Sequence, residues 1–173
     1  MTGRLVVISG LPGVGKSSVA ERFAARTGSV HLSVDVIEEA ILNCGLSPGQ
    51  EVGIAAYEAA RAIAELNLVL DRCVVVDAVN DSEEARETWR AAASRTGSRI
   101  DFVHLVMSDA REHERRLSAR ERGLVHVGEP TWADVQRRRA EYAQWSDEIL
   151  EFETSSPTVD EVVGALVARI GTG

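Results

Sequence analysis

The sequence predicts one α/β domain over residues 1–173, with a parallel sheet of five strands and helices on both of its faces. Short apolar runs alternate with longer stretches of helical spacing from one end of the chain to the other. The runs are continuously apolar, which is typical of strands that are buried on both faces of a parallel sheet. A length of 173 residues also suits one domain with a single sizeable core.

Five apolar runs are the predicted strands, and several of them are rich in β-branched residues. They cover residues 5–9, 30–33, 73–78, 100–107 and 149–153. The stretches between consecutive runs are long enough to hold helices, so we expect right-handed helical crossovers between parallel neighbours.

Capping residues mark where the predicted helices begin and end. Ser47, Asp81 and Asp109 each stand three residues before a Gln or a Glu, which is the spacing of an N-terminal capping box. Gly28 and Gly97 follow helical stretches and precede strands, so we expect them at the C-terminal ends of helices. The clearest apolar stripe belongs to the last helix and consists of Val159, Val162, Val163, Leu166, Val167 and Ile170.

Composition narrows the class of protein. The net charge is −8, and proteins that bind long nucleic acids usually carry a basic face, so such a partner is disfavoured. No run approaches the ~18 apolar residues that cross a bilayer, so no membrane association is expected. Cys44 and Cys73 are far apart and form no Cys-x-x-Cys pair. We therefore expect neither a disulfide framework nor a zinc site, and we expect the reducing cytoplasm as the compartment.

One motif indicates the chemistry. Residues 10–17 read Gly-Leu-Pro-Gly-Val-Gly-Lys-Ser and match G-x-x-x-x-G-K-[S/T], after an apolar strand and before a helix. The glycines let successive backbone N–H groups face the phosphates of a nucleoside triphosphate, and the helix N-terminus adds positive potential. We expect Lys16 to reach the β- and γ-phosphates and Ser17 to hold Mg²⁺. The predicted contacts with MgATP are Gly10, Leu11, Pro12, Gly13, Val14, Gly15, Lys16, Ser17 and Ser18.

Two aspartates follow predicted strands and extend this hypothesis. Asp77 ends the apolar run 74–77, where a protein with such a loop places the carboxylate that supports Mg²⁺ beside Ser17. Asp35 comes directly after the second strand, and parallel strands bring their C-terminal ends to one edge of the sheet. A carboxylate there can accept the proton of an attacking hydroxyl, so we expect Asp35 to be the catalytic base. No Asn-Lys-x-Asp segment follows a later strand, which argues against a GTPase.

Arginines crowd one later helical segment, at Arg111, Arg115, Arg116, Arg120 and Arg122. The segment leads into a glycine-bracketed stretch that could close over bound phosphates, so we expect a small lid over about residues 116–131. We expect Arg116 and Arg120 to bind the phosphates after closure, with Arg120 joining Lys16 and Asp35 as a catalytic residue. The alternative is a solvated basic face paired with Glu112, Glu114 and Glu121.

Several of these segments together resemble the P-loop kinase-like family. This family includes the kinase domain of polynucleotide kinases and the zeta-toxin-like and chloramphenicol phosphotransferase-like enzymes. The segments that carry the resemblance are residues 10–17, 34–35, 76–80 and 116–120, with Arg86 and Trp89. The resemblance implies a three-layer P-loop NTPase fold with strand order 2-3-1-4-5 and ATP as the phosphoryl donor. It also implies Asp35 as the acceptor-activating carboxylate and Arg120 as the lid arginine.

The same resemblance assigns two further sites. Asn80 matches an asparagine that lies near the acceptor or the γ-phosphate in many members of the family. Residues 153–157 match a loop that flanks adenine, which makes Thr154 and Ser155 nucleotide contacts. Val36 departs from the family, because polynucleotide kinases often have an arginine directly after the catalytic acid. This departure disfavours the end of a nucleic acid as the acceptor.

The acceptor is the open part of the sequence prediction. Tyr57 and Arg61 lie on a long helical stretch, residues 51–70, which would border the acceptor pocket in this architecture, so both are candidate substrate contacts. We expect an ATP-dependent phosphotransferase that acts on a hydroxyl of a small molecule. A nucleoside or nucleotide kinase and a non-enzymatic ATP-binding module are the alternatives. His31 and His104 lie in predicted strands, where we expect them to be satisfied by neighbours rather than catalytic.

Overall fold

The computed structural model describes residues 3–171, and its five strands form one sheet in which all neighbours are parallel. The strands are β1 (Arg4–Ser9), β2 (Val30–Ser33), β3 (Cys73–Asp77), β4 (Arg99–Val106) and β5 (Ile149–Glu153). Their order is β2-β3-β1-β4-β5, which is the order that the family resemblance implied. All five predicted strands are present, and their ends agree with the prediction to within one residue.

Seven helices connect and cover these strands within the same part of the chain. They are α1 (Lys16–Thr27), α2 (Val34–Leu42), α3 (Gln50–Leu68), α4 (Glu83–Thr96), α5 (Ala110–Ser118), α6 (Trp132–Glu141) and α7 (Val159–Ile170). Helices α1 and α7 pack together on one face of the sheet, and α2, α3 and α4 cover the other. The predicted three-layer α/β fold is therefore confirmed.

The central strand β1 supplies side chains to both cores. Leu5 and Val7 belong to the core beneath α3 and α4, while Val6 and Ile8 belong to the core beneath α1 and α7. All four side chains are fully buried, because successive residues of a strand face opposite sides of the sheet. This arrangement explains the continuous apolar run, and it makes β1 a firm support for the segment that follows it.

Three of the predicted helix ends are confirmed. The carboxylate of Asp109 accepts hydrogen bonds from the backbone N–H groups of Arg111 and Glu112, at 2.9 and 3.1 Å, and so caps α5. Gly28 and Gly97 end α1 and α4 with φ angles of 71° and 64°, a left-handed backbone that glycine adopts without strain.

Two predicted N-terminal caps were wrong. Ser82, not Asp81, caps α4, because its hydroxyl accepts a hydrogen bond from the backbone N–H of Ala85 at 3.2 Å. Helix α3 begins after Gly49, and no side chain caps it there, so Ser47 is not its cap. At α4 the adjacent residues Asp81 and Ser82 both suited the position, and the spacing to a glutamate did not distinguish them.

The C-terminal ends of the strands meet at one edge of the sheet, and the candidate site lies there. The segment after β1, the start of α2 after β2, and the end of β3 all reach this edge. Residues 119–131, which join α5 to α6 without helix or strand, also contact it; we call this segment the α5–α6 loop. None of the helices in residues 3–171 combines the length and the apolar character needed to span a membrane.

Candidate active site

The phosphate loop, residues 10–15, joins β1 to α1 through glycines with a left-handed backbone. Gly10 has a φ of 141°, and a Cβ atom there would stand 2.4 Å from the carbonyl oxygen of Leu105. Gly15 precedes α1 as its N-terminal cap with a φ of 96°. Other residues at these positions would be strained, and at Gly10 they would also push against β4. The loop therefore leads directly into the N-terminus of α1, where free N–H groups favour an anion.

A buried histidine ties this loop to α5. The ring of His113 is fully buried, and its Nε2–H donates to the carbonyl oxygen of Pro12 at 2.7 Å. Its Nδ1 accepts a hydrogen bond from Arg139 of α6 at 2.8 Å. Burial lowers the pKa of His113 and outweighs the hydrogen bond to Pro12, which raises it, so the ring is neutral. The phosphate loop is thus fixed from outside its own sequence.

Lys16 is the buried cation of the site. Only 7% of its surface is exposed, and its Nζ donates to the carbonyl oxygen of Leu11 at 3.1 Å. Burial lowers the pKa of Lys16 to about 8, although the negative charges of Asp35 and Asp77 act in the opposite direction. An ammonium group that has lost its water gains from an anionic partner, which agrees with a phosphate at this position.

Ser17 and Asp77, the predicted metal pair, are in contact. Ser17 Oγ donates to Asp77 Oδ1 at 2.8 Å, and His31 Nε2 lies 2.7 Å from Asp77 Oδ2. A hydroxyl and a carboxylate oxygen suit Mg²⁺, which commonly fills its other positions with phosphate oxygens and water. These residues therefore fit a nucleotide-bound Mg²⁺. Between residues 3 and 171, no cluster of three His, Cys, Asp or Glu side chains offers a different metal site.

Asp35 lies at the start of α2 and faces two arginines of the α5–α6 loop. Arg122 Nη1 donates to Asp35 Oδ2, and Arg120 Nη2 lies 3.8 Å from the same oxygen. Both arginines also face Glu129, at 2.6 Å from Arg122 and 3.6 Å from Arg120. Burial and the neighbouring charge of Arg122 lower the pKa of Arg120. Two carboxylates and two guanidinium groups therefore form one network beside the cleft.

A single cleft of about 760 Å³ joins these groups. Lys16 and Ser17 line it from α1, Asp35 from α2, and Arg120 from the α5–α6 loop. The structure thus brings the three residues predicted to be catalytic to one continuous space. The cleft is also lined by four other predicted nucleotide contacts, namely Gly13, Gly15, Ser18 and Arg116.

The structure does not bring Asn80 to this cleft. Asn80 has no exposed surface; its side-chain amide donates to Ser9 Oγ at 2.8 Å, and its side-chain oxygen accepts from Trp89 Nε1 at 2.7 Å. A side chain so placed cannot touch a bound molecule unless the packing rearranges. The resemblance predicted a position near the acceptor or the γ-phosphate, and in this structure the side chain of Asn80 lies in the packing at the end of β3.

The other two predicted acceptor contacts lie on α3. Arg61 lines a separate cavity of about 610 Å³, which α4 also borders, and it pairs with Glu58 and Glu65 at 2.7 and 2.6 Å. Arg61 is therefore held by its own helix, away from the cleft. Tyr57 is half-buried, and its hydroxyl accepts a hydrogen bond from the backbone N–H of Asn80 at 3.3 Å. Burial raises the pKa of Tyr57, so its hydroxyl stays protonated.

Arg116 and the loop before α7 are in contact with each other. Arg116 Nη1 donates to the carbonyl oxygen of Thr154 at 2.9 Å, and Nη2 to that of Ser155 at 3.1 Å. Arg116 Nε donates to Glu112 at 2.6 Å. The sequence predicted that Arg116 binds phosphates, but in this structure its guanidinium holds the loop that was predicted to flank adenine.

Four further residues of the site were not among those predicted, namely Arg122, His31, His113 and Glu39. Arg122 belongs to the same arginine-rich segment as Arg120, but the family resemblance covers only residues 116–120 of this segment and therefore favoured Arg120. His31 could have been found from the strand order. Strand β2 lies beside β3, and His31, the only ionisable residue of β2, contacts Asp77 at the end of β3. His113 and Glu39 carry no local signal, since their partners are distant in sequence.

The fold and the site define a small P-loop kinase-like protein. Residues 5–142 match the family described as "AAA domain", and the chain belongs to this family. Among curated proteins, the Spectinabilin polyketide synthase system protein NorB of Streptomyces orinoci is 35% identical over 108 residues. That match covers 61% of this chain but spans only 5% of the length of NorB.

Solved structures with the same fold cover almost the whole chain. A protein from Chloroflexus aurantiacus proposed to be a kinase has a TM-score of 0.77 at 16% identity, with 98% of this chain and 96% of that chain covered. The APS kinase of Mycobacterium tuberculosis in complex with AMPPNP and APS has a TM-score of 0.72 at 24% identity, with 98% of both chains covered. A gluconokinase from Sinorhizobium meliloti 1021 has 0.66 at 21%, with 95% and 91% covered. These likenesses establish the fold.

Proposed function

We propose that this protein transfers the γ-phosphoryl group of ATP to a hydroxyl of a small molecule, with Asp35 as the base that activates the acceptor. The observation that carries the proposal is the position of Asp35, which shares one cleft with Lys16 and Ser17. Nucleotide binding alone needs the phosphate loop, whereas transfer also needs a group that receives the proton of the acceptor. In this proposal residues 1–173 form one kinase domain, and about residues 116–131 act as its lid.

The nucleotide binds along the phosphate loop and its first helical turn. Lys16 contacts the β- and γ-phosphates, and the adenine lies beside Thr154 and Ser155, whose position Arg116 supports. Ser17 and Asp77 hold Mg²⁺, which, when bound, neutralises phosphate charge. The same-fold proteins named APS kinase and gluconokinase support a kinase assignment. Free Cys44 and Cys73 support the reducing cytoplasm as the compartment.

Asp35 has one oxygen available for the acceptor. Both arginines approach Oδ2, and among the described residues no donor bonds Oδ1. The acceptor hydroxyl donates to Oδ1 and gives up its proton there as its oxygen attacks the γ-phosphorus; the bond between the γ-phosphorus and the β,γ-bridging oxygen breaks, and ADP leaves with that oxygen. Arg120, Arg122 and Lys16 stabilise the negative charge of the transferring group, because all three line the same cleft.

Three aliphatic residues of the cleft indicate the character of the acceptor. Val36, Ile63 and Leu124 line the cleft, and 56% of the surface of Val36 is exposed to solvent. Aliphatic side chains cannot form hydrogen bonds with the several hydroxyls of a sugar. They do stabilise a bound apolar group, because the contact removes apolar surface from water. We therefore infer an acceptor that joins a hydroxyl to an apolar portion, rather than a polyol or a nucleic-acid end.

The direct test is acceptor-dependent release of ADP from MgATP. A panel of amphiphilic alcohols, polyols and nucleosides is offered at equal concentration, and phosphorus NMR identifies the product ester. We expect the amphiphilic alcohols to raise ADP release most. A higher rate with nucleosides would favour a nucleoside kinase, and no response to any compound, with tight MgATP binding, would favour a non-enzymatic nucleotide-binding module.

Substitution of the base tests its role. Asp35→Asn keeps the shape of the side chain but cannot accept the proton, so we expect transfer to fall by about a thousandfold with little change in MgATP affinity. Asp160→Asn is the matched control, because Asp160 lies on the exposed side of α7 and pairs only with Arg22 among the described residues. Turnover within tenfold of the unsubstituted protein would refute the role of Asp35.

A further inference from the structure

Glu39, one turn beyond Asp35 on α2, binds the α5–α6 loop through four donors. Its carboxylate accepts the backbone N–H groups of Val125 at 3.0 Å, of His126 at 2.9 Å and of Val127 at 2.9 Å. The Nδ1 atom of the His126 ring lies 2.9 Å from the same carboxylate. Only 10% of the Glu39 side chain is exposed. One buried carboxylate therefore holds three consecutive residues of a segment that has no helix or strand of its own.

The geometry is that of an anion in a backbone nest. Successive N–H groups that converge on one point form a concave site for a negative group, and here a side chain of the same protein fills it. Burial alone would raise the pKa of Glu39, but the hydrogen bonds from residues 125–127 lower it to about 2. The carboxyl group is therefore ionised throughout the neutral pH range, as charge-assisted hydrogen bonds require.

Both attachments of the α5–α6 loop described above lead to α2. Arg120 and Arg122 reach Asp35, and residues 125–127 reach Glu39. Asp35 and Glu39 are four residues apart, so they lie on the same face of the helix. Movement of the middle of the loop would remove its two arginines from Asp35, because only a few residues separate the two attachments.

We propose that Glu39 is the positioning residue that latches the α5–α6 loop over Asp35 and so places Arg120 and Arg122 for phosphoryl transfer. The inference rests on the proposed function for its catalytic consequence, but the latch itself is a property of the fold. Glu39 does not touch the reacting atoms; it acts through the loop. Its loss should leave the phosphate loop intact, since His113 and β1 hold that loop separately.

The experiment compares Glu39→Ala with Glu39→Asp and with Glu51→Ala, an exposed acidic residue in the first turn of α3. Amide hydrogen exchange of residues 123–131 reports the latch without any acceptor. In Glu39→Ala we expect exchange at residues 125–127 to speed up by about tenfold or more, and kcat for transfer to fall by about tenfold or more. The affinity for MgATP should change by less than about threefold, because its contacts lie elsewhere.

Rescue by formate separates the latch from a general loss of stability. Glu39→Ala leaves a small cavity lined by N–H groups, so formate should restore both slow exchange and transfer in a saturable way, with chloride at equal ionic strength as control. Glu39→Asp should lie between the unsubstituted protein and Glu39→Ala. Glu51→Ala should show neither defect and no response to formate.

Each outcome decides a separate claim. Unchanged exchange at residues 125–127 in Glu39→Ala would overturn the latch, whatever the activity. Faster exchange with unchanged transfer would overturn the positioning role. If no acceptor were phosphorylated even by the unsubstituted protein, the proposed function would fall, and faster exchange reversed by formate would still establish Glu39 as the latch.

Discussion

The two sides of the cleft differ in how their residues are held in place. We call the part around Lys16, Ser17 and Asp77 the phosphate side, and the part around Asp35, Arg120 and Arg122 the acceptor side. On the phosphate side, the side chain of Asp77 is 4% exposed and its partners come from α1 and β2. On the acceptor side, the side chain of Asp35 is 34% exposed, and its partners Arg120 and Arg122 come from a loop without regular structure. The fold itself organises the phosphate side, whereas the acceptor side is organised by where the α5–α6 loop lies.

This difference has a physical consequence for how each side responds to change. A buried pair is screened little by solvent, while partly exposed ion pairs weaken as salt is added. Substitutions on the phosphate side should therefore act on binding and on folding together. Substitutions on the acceptor side should act on transfer and leave folding nearly unchanged.

The largest effect is expected from Lys16→Met, which removes the buried cation and keeps the length of the side chain. We expect kcat/KM for ATP to fall by about a thousandfold, because the charge that faces the phosphates is lost. Coupled ADP release measures it, and Arg22→Met on the exposed side of α1 is the control. If kcat/KM for ATP fell by less than tenfold, the phosphate side would not depend on the charge of Lys16. The contrast between the two sides of the cleft would then be wrong.

Asn80→Ala tests whether the packing beneath the phosphate side depends on the hydrogen bonds of this buried amide. It leaves Trp89 Nε1 and Ser9 Oγ without their partner, and it forces Ala into the left-handed backbone with the φ of 53° that Asn80 has. We expect a loss of about 3 kcal/mol in the free energy of unfolding. Asn67→Ala, at a half-buried position on α3 where the side chain bonds Ile63 and Arg72 near the surface, should cost less than about 1 kcal/mol. Equal losses would contradict a structural role for Asn80.

The pH dependence of stability tests the burial of Lys16. The unfolded chain keeps the lysine proton up to its ordinary pKa of 10.5, whereas the folded protein releases it near 8. The free energy of unfolding should therefore rise between these pH values, by no more than about 3 kcal/mol. The rise should be absent from Lys16→Met, and denaturant titrations of both proteins give the difference.

The same titration should have the opposite effect on activity. Because only the protonated lysine neutralises phosphate charge, kcat/KM for ATP should fall as pH rises through about 8. Lys16 is the only lysine in the sequence, so NMR of its Nζ or Cε reports the pKa without assignment. A titration midpoint near 10.5 would show that the group is solvated.

The smallest effect is expected from Arg122→Gln on the acceptor side. We expect kcat for transfer to fall by about tenfold, with MgATP affinity and the free energy of unfolding nearly unchanged. Arg115→Gln is the control, because Arg115 is mostly exposed and pairs with Glu112 on its own helix. A change of more than about 1 kcal/mol in unfolding would instead place Arg122 among the structural ion pairs.

The sequence predicted the phosphate side far better than the acceptor side, and the reason is physical. Strand β1, residues 10–17 and Asp77 are specified by local patterns, in which a buried run, glycines and an acid stand at fixed spacing. Parallel topology then places Asp35 on the same edge. These inferences need no knowledge of distant partners.

The acceptor side depends on partners that are far apart along the chain. Glu39 and Val127 are separated by 88 residues, and Asp35 and Arg122 by 87. With 19 basic and 27 acidic residues in the chain, spacing cannot show which charges meet. Asn80 has a left-handed backbone with a φ of 53°, and its buried side chain bonds Ser9 and Trp89; the sequence pattern holds no sign of these two partners.

The short helix α2 is constrained in the number of residues that separate Asp35 from Glu39. Asp35 and Glu39 occupy successive turns of one face, and each inserted or deleted residue between them would rotate one carboxylate by about 100° relative to the other. Aliphatic exchanges at residues 36 and 37 preserve that register, whereas a single-codon insertion or deletion there abolishes it. Among related genes, the residues between Asp35 and Glu39 should therefore vary in type but not in number.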